Sequence, residues 1–278
     1  MTFLPNKVLD AFEAKAGFHI SESTLLYACY VGSQSHNTYV PKDDPQAIDD
    51  IDILCIVVPP PKAVLGLKPW KETETIQIDE WDIVVHSVSK FVRLLLKGNP
   101  NMLGALWVRP EERLFCHPKF EQFITHRKDF STKESFHSFA GYATEQLRKM
   151  SSSENAYKGY MGAKRKALVD KWGFDLKNAA HLIRLLRMCI DFLKTGELQV
   201  YRTTDAETIR SIKRGEWSLN AVVAEAESLF VTARAEYEVS RLPAGVDSGL
   251  AEKLLLSFFV QNPETWRYVW GWKAAPRR

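Results

Sequence analysis

The segment from Leu25 to Val58 constrains this chain more than any other. Two apolar runs, Leu25 to Val31 and Leu54 to Val58, bracket a polar stretch that opens on Gly32-Ser33 and closes on Asp50-Ile51-Asp52-Ile53. In a strand, residues two apart share a face, so Asp50 and Asp52 project together while Ile51 and Ile53 enter a core. Pro59-Pro60-Pro61 then stops the strand, because proline has no N–H to give to a ladder. Like charges side by side on a strand are costly unless a cation lies between them. Hard divalent cations take oxygen ligands, and magnesium commonly uses one or two carboxylates together with substrate phosphates. A Gly-Ser turn adds backbone N–H groups and a hydroxyl, which cradle phosphate oxygens.

Gly32-Ser33 followed by Asp50-Ile51-Asp52-Ile53 resembles the signature of the nucleotidyltransferase superfamily of DNA polymerase β. That signature is a Gly-Ser turn, an Asp-x-Asp strand and a third acidic residue on a later strand. The third falls here on Asp82, in Glu80-Trp81-Asp82-Ile83-Val84-Val85, with Asp79 and Glu80 as neighbouring candidates. Two positions depart from the pattern, Asn37 where a second glycine is common and Asp49 where a serine is common. Asparagine tolerates the left-handed conformation better than other non-glycine residues, so the turn survives the first change. Asp49 adds charge beside the metal-binding strand. Residues 97–101, 158–165 and 175–187 are similar to a branch of predicted nucleotidyltransferases of bacteria and phages, so the likeness covers most of the chain.

The resemblance implies an α+β fold, with a small mixed-sheet catalytic domain over residues 1–120 and a mostly α-helical domain over 121–278. It implies Mg²⁺-dependent transfer of a nucleoside monophosphate from an NTP to a hydroxyl acceptor, with release of pyrophosphate. Asp50 and Asp52 would hold two Mg²⁺ ions, with Asp82 ligating the second and helping to activate the acceptor. Gly32 and Ser33 would cradle the phosphates, and Lys164, Arg165, Lys177, His181 and Arg184 would neutralise or position the substrate. The leading acceptor is an RNA 3′ end, such as one resembling tRNA, and a small molecule is another. The alternatives are a protein acceptor modified in the manner of AMPylation and a non-catalytic nucleotide or nucleic-acid binding module on the same fold.

Along the chain, period-two patterning predicts strands at 23–31, 50–58 and 79–86, with 62–76 an irregular excursion that leaves Glu72 and Glu74 solvated. From Ser87 the period lengthens. Helices follow on either side of Gly98-Asn99-Pro100, then at 135–151, 157–172, 175–193, 205–213, 219–238 and 252–260. An N-terminal helix spans 6–17, and residues 198–201 read as a short strand. Asp175 caps the helix from 175, and Gly196 lies just past its end. Lys177, His181 and Arg184 are spaced i, i+4, i+7 and share one helix face. Tyr157 to Lys166 mixes basic residues, tyrosines and glycines, suiting a nucleotide, a nucleic-acid acceptor or a solvated helix start. Lys90, Arg93 and Lys97 widen the basic rim. His36 reads as a surface loop histidine, and the aromatic tail with Trp266, Tyr268, Trp270 and Trp272 as packing for a terminus.

Composition excludes little else. The 278 residues carry a net charge of +3, which by itself demands no nucleic-acid partner. The four cysteines are far apart, with no C-x-x-C pair, and read as buried free thiols rather than zinc ligands or disulfides. The N-terminus has no long apolar signal region, and no run suits a membrane span. A cytoplasmic protein without a membrane partner is therefore expected.

Overall fold

A computed structural model describes residues 3–41, 44, 50–151 and 163–260. The chain begins with α1 (Asn6–Ala16), closed by Gly17 in the left-handed conformation, φ 75°. Then come β1 (Leu25–Tyr30), the single turn α2 (Gly32–Ser35), β2 (Ile51–Val57), α3 (Pro61–Leu65), β3 (Thr73–Ile78) and β4 (Trp81–Ser87). α4 (Val88–Leu96), α5 (Pro100–Trp107), β5 (Arg113–Cys116) and α6 (Glu121–Thr125) complete the first half. The second half holds α7 (Ser135–Ser151), α8 (Ala163–Trp172), α9 (Leu176–Thr195), α10 (Ala206–Lys213), α11 (Leu219–Val239) and α12 (Ser248–Val260).

The sheet order is β3-β4-β2-β1-β5, with β2 and β4 parallel and the remaining pairs antiparallel. This is an α+β fold on a mixed sheet. Alternation divides the strands between two cores. Ile53, Cys55 and Val57 of β2 pack with Val8, Leu9 and Phe12 of α1. Leu54 and Ile56 join the opposite core, which runs without a break through α4 and α5 into α7, α9, α11 and α12. At its centre lies α9. Asp175 accepts hydrogen bonds from the Lys177 and Asn178 amides at 3.0 and 3.2 Å, and Gly196 ends the helix at φ 71°. Among the described residues, no helix is long and apolar enough to cross a membrane.

Three expected elements differ. Residues 73–78 are a strand, not an excursion, and form a hairpin with β4 through Asp79-Glu80. Glu74 breaks the apolar alternation and hid that strand from the sequence; it is buried rather than solvated. β5 lies where the patterning lapses, and it pairs with the free edge of β1. Residues 198–201 make no strand; Leu198 and Val200 bury their side chains in the helical core without pairing. The thiols behave as expected: Cys29, Cys55 and Cys189 are buried and free, and Cys116 is half-buried. Residues 157–162 and the aromatic tail lie outside the described residues, as does Asp49.

Candidate active site

β1 delivers the chain directly into the Gly32-Ser33 turn. Gly32 has φ +64°, and a Cβ there would stand 2.1 Å from Asp52 Oδ2. The turn and the aspartate strand are thus seated against each other with no room for a side chain. Asn37 occupies the left-handed region at φ 57°, as the asparagine-for-glycine reading anticipated. Ser33 is buried, and among the described residues its Oγ has no hydrogen-bond partner.

Asp52 and Asp82 are register partners on the parallel strands β2 and β4, and both line one cavity of about 660 Å³. Asp82 Oδ2 accepts a hydrogen bond from Gln77 Nε2 at 3.1 Å, while the enclosed Oδ1 accepts none among the described residues. Asp50 stands one residue ahead of β2. It is exposed, 3.6 Å from Lys177 Nζ, and does not line the cavity. Of the three predicted carboxylates, Asp52 and Asp82 line the cavity, and Asp50 pairs with Lys177, which also lines it.

Facing them is the row from α9. Lys177, His181 and Arg184 all line the cavity, and so share the helix face that their spacing predicted. Arg184 is only 9% exposed, and its one hydrogen bond among the described residues goes to the Met188 thioether at 3.4 Å. Burial, with the repulsion of Arg202, lowers its pKa to about 9, and Asp52 acts in the opposite sense. An enclosed guanidinium without a bonded carboxylate is expensive to keep, and an anion in the cavity would offset that cost. His181 Nε2 is enclosed and unbonded, and burial followed by the field of Arg184 holds the ring's pKa well below the ordinary value.

Arg165 also lines the cavity, but its guanidinium is bound to Asp175 at 2.7 Å and to Asn178 at 3.0 Å. It braces the start of α9. The Lys164 side chain lies outside the described residues. His36 is a correction: it is buried, and its Nδ1 meets the Val200 carbonyl at 2.8 Å. Burial first, then Arg184, keeps it neutral. Neighbouring backbone is held the same way. Asn37 Nδ2 donates to the Arg202 carbonyl, Arg210 to the Asn37 carbonyl, and Lys213 Nζ to the Thr38 carbonyl, at 2.9, 2.5 and 2.8 Å. Sequence reading passed over Lys213, Gln77 and His86, which no local motif distinguishes. Of the rim predicted from α4, Arg93 is paired with Glu72.

Among the described residues no three His, Cys, Asp or Glu side chains gather into a metal cluster. The pair Asp52 and Asp82 nevertheless fits a hard cation. Asp82 Oδ1 is an enclosed carboxylate oxygen without a donor, and the missing Cβ of Gly32 leaves the Asp52 carboxylate its place at the turn. Phosphate oxygens would complete such a set.

A Gly-Ser turn seated on an aspartate strand, with a second carboxylate in register on the parallel neighbour, defines this chain as one of the DNA polymerase β-like nucleotidyltransferase superfamily. Residues 5–211 match the model of the RNA repair pathway DNA polymerase beta family, RlaP, and the chain belongs to that family. No curated protein matches it. A crystallised nucleotidyltransferase-like protein from Exiguobacterium sibiricum 255-15 is similar over 93% of this chain and 80% of its own, at 11% identity and a TM-score of 0.25. So loose a likeness supports no argument.

Proposed function

We propose that this protein transfers a nucleoside monophosphate from an NTP to the 3′ hydroxyl of an RNA, releasing pyrophosphate, as a step in RNA repair. The observation that carries the reading is the register pair Asp52 and Asp82 beside the Gly32-Ser33 turn, opposite the buried Arg184. The family's printed description supports the RNA acceptor.

In this reading Ser33 Oγ and the turn receive phosphate oxygens, and Arg184 and Lys177 face the negative charge of the triphosphate. The acceptor oxygen bonds to the α-phosphorus as the bond to the bridging α–β oxygen breaks, and pyrophosphate carries that oxygen away. The hydroxyl proton passes to water, which leaves Asp82 Oδ1 available to help hold a cation. Mg²⁺ held by Asp52 and Asp82 would supply Lewis-acid stabilisation of charge on the phosphoryl oxygens and the attacking hydroxyl. Arg165 and His36 take no part in binding; they hold the start of α9 and the turn in place.

The test is incubation with each α-³²P-labelled NTP, Mg²⁺ and total cellular RNA and protein, with products divided by RNase and protease. RNase-sensitive label is expected from the wild type, and at least ~100-fold less from Asp52→Asn or Gly32→Ala, since small misplacement of reacting groups costs about that much. Label that only protease removes would move the reading to a protein acceptor. No label and no pyrophosphate from any fraction would leave a nucleotide-binding module.

A further inference from the structure

We propose that Gln77 is a positioning residue for Asp82, fixing which carboxylate oxygen faces the cavity and thereby setting the site's affinity for a divalent cation. The inference rests on the nucleotidyl-transfer reading, in which Asp82 is a metal ligand. Three side chains make a row across neighbouring strands: Asp52 of β2 opposite Asp82 of β4, and Asp82 opposite Gln77 of β3. Directly paired residues on adjacent strands share a face and lie within side-chain reach. Asp82 thus has a like charge on one side and an amide on the other.

The amide must present its N–H₂ group to the carboxylate, because its carbonyl would set lone pairs against lone pairs. The 3.1 Å bond from Gln77 Nε2 engages Asp82 Oδ2. It leaves Oδ1, enclosed and without a partner among the described residues, as the oxygen able to meet a ligand. A carboxylate hinged on a free χ2 would otherwise turn away from Asp52 to relieve repulsion. Gln77 sits on the exposed side of the edge strand β3, so neither core packing nor ladder hydrogen bonding explains a glutamine there. Thr75, two residues back on the same side, is paired with Val84 rather than with a carboxylate, so it serves as a control.

The experiment is titration of the full chain with Mn²⁺ alone, reading free ion by electron paramagnetic resonance. Outer-shell partners of metal ligands are commonly worth ~10-fold or more in affinity. Gln77→Leu, which keeps volume and loses the donor, is expected to weaken Mn²⁺ binding by ~10-fold with the melting temperature unchanged, while Thr75→Val binds as the wild type does. In the Asp82→Asn background the same Gln77→Leu change is expected to have no further effect, which a merely structural residue would not reproduce. Wild-type affinity in Gln77→Leu, or an equal loss in the Asp82→Asn background, overturns the proposal while the metal reading stands. If Asp82→Asn itself leaves Mn²⁺ binding untouched, or the wild type binds none, the metal reading fails and takes this proposal with it.

Discussion

On one face of the sheet Ile53, Cys55 and Val57 lie in the core under α1, where Phe12, Phe18 and Trp70 meet edge to face. On the other face the same strand turns Asp52 into a cavity shared with Asp82, Arg184, His36 and His181. The closed face is mainly apolar contact, with Glu74 buried at its edge beside Lys71, and stabilises the fold. The open face holds a buried cation and, in His181, an enclosed ring nitrogen without a partner among the described residues, each costly to bury. One strand, by alternation alone, builds a support on one side and a site on the other.

The sharpest way to break that division is Phe12→Ala. Deleting a fully buried ring should cost about 3–5 kcal/mol in urea unfolding. The fraction still folded should bind tripolyphosphate with wild-type affinity; lost affinity in that fraction would mean the two faces are not separate.

A smaller effect of opposite sign is expected at Arg184. Arg184→Met keeps the length and removes a charge that burial disfavours, so stability should stay level or rise by about 1–2 kcal/mol. Tripolyphosphate binding should disappear. A variant that unfolds more easily than the wild type would show that the arginine is structural.

The smallest effect is a pH dependence. His181 and His36 have folded pKa values well below the ordinary 6.5, so they are neutral in the fold while the unfolded chain takes up protons near pH 6.5. Their contribution is complete above that pH and is lost as pH falls toward the folded value. Each should remove about 1 kcal/mol between pH 6.5 and 5.5. His181→Gln should flatten the urea midpoint over this interval relative to the wild type. An unchanged slope would place that histidine's titration at its unfolded value.

How much of this was readable beforehand depended on whether the signal was local. The helix from Leu176 to Thr195 announces itself by an aspartate cap, a left-handed glycine and an apolar stripe, all within about twenty residues. The Gly-Ser turn and Asp52 are equally local. Which arginine is left without a carboxylate is not, since Arg165 and Arg184 look alike in sequence. One is bound by Asp175, and the other is left with a thioether. Nor could local patterning show that His36 would be covered by Val200, 164 positions later. β3 was obscured by a buried glutamate, whose charge mimics a solvated loop.

The backbone just past the Gly-Ser turn is held by partners 173 and 175 positions later: the carbonyls of Asn37 and Thr38 accept from Arg210 and Lys213. A ribosome building this protein has therefore finished the aspartate strand long before the groups that steady its neighbouring loop exist. The nascent chain would carry its carboxylates early and complete their surroundings only once Arg210 and Lys213 have emerged.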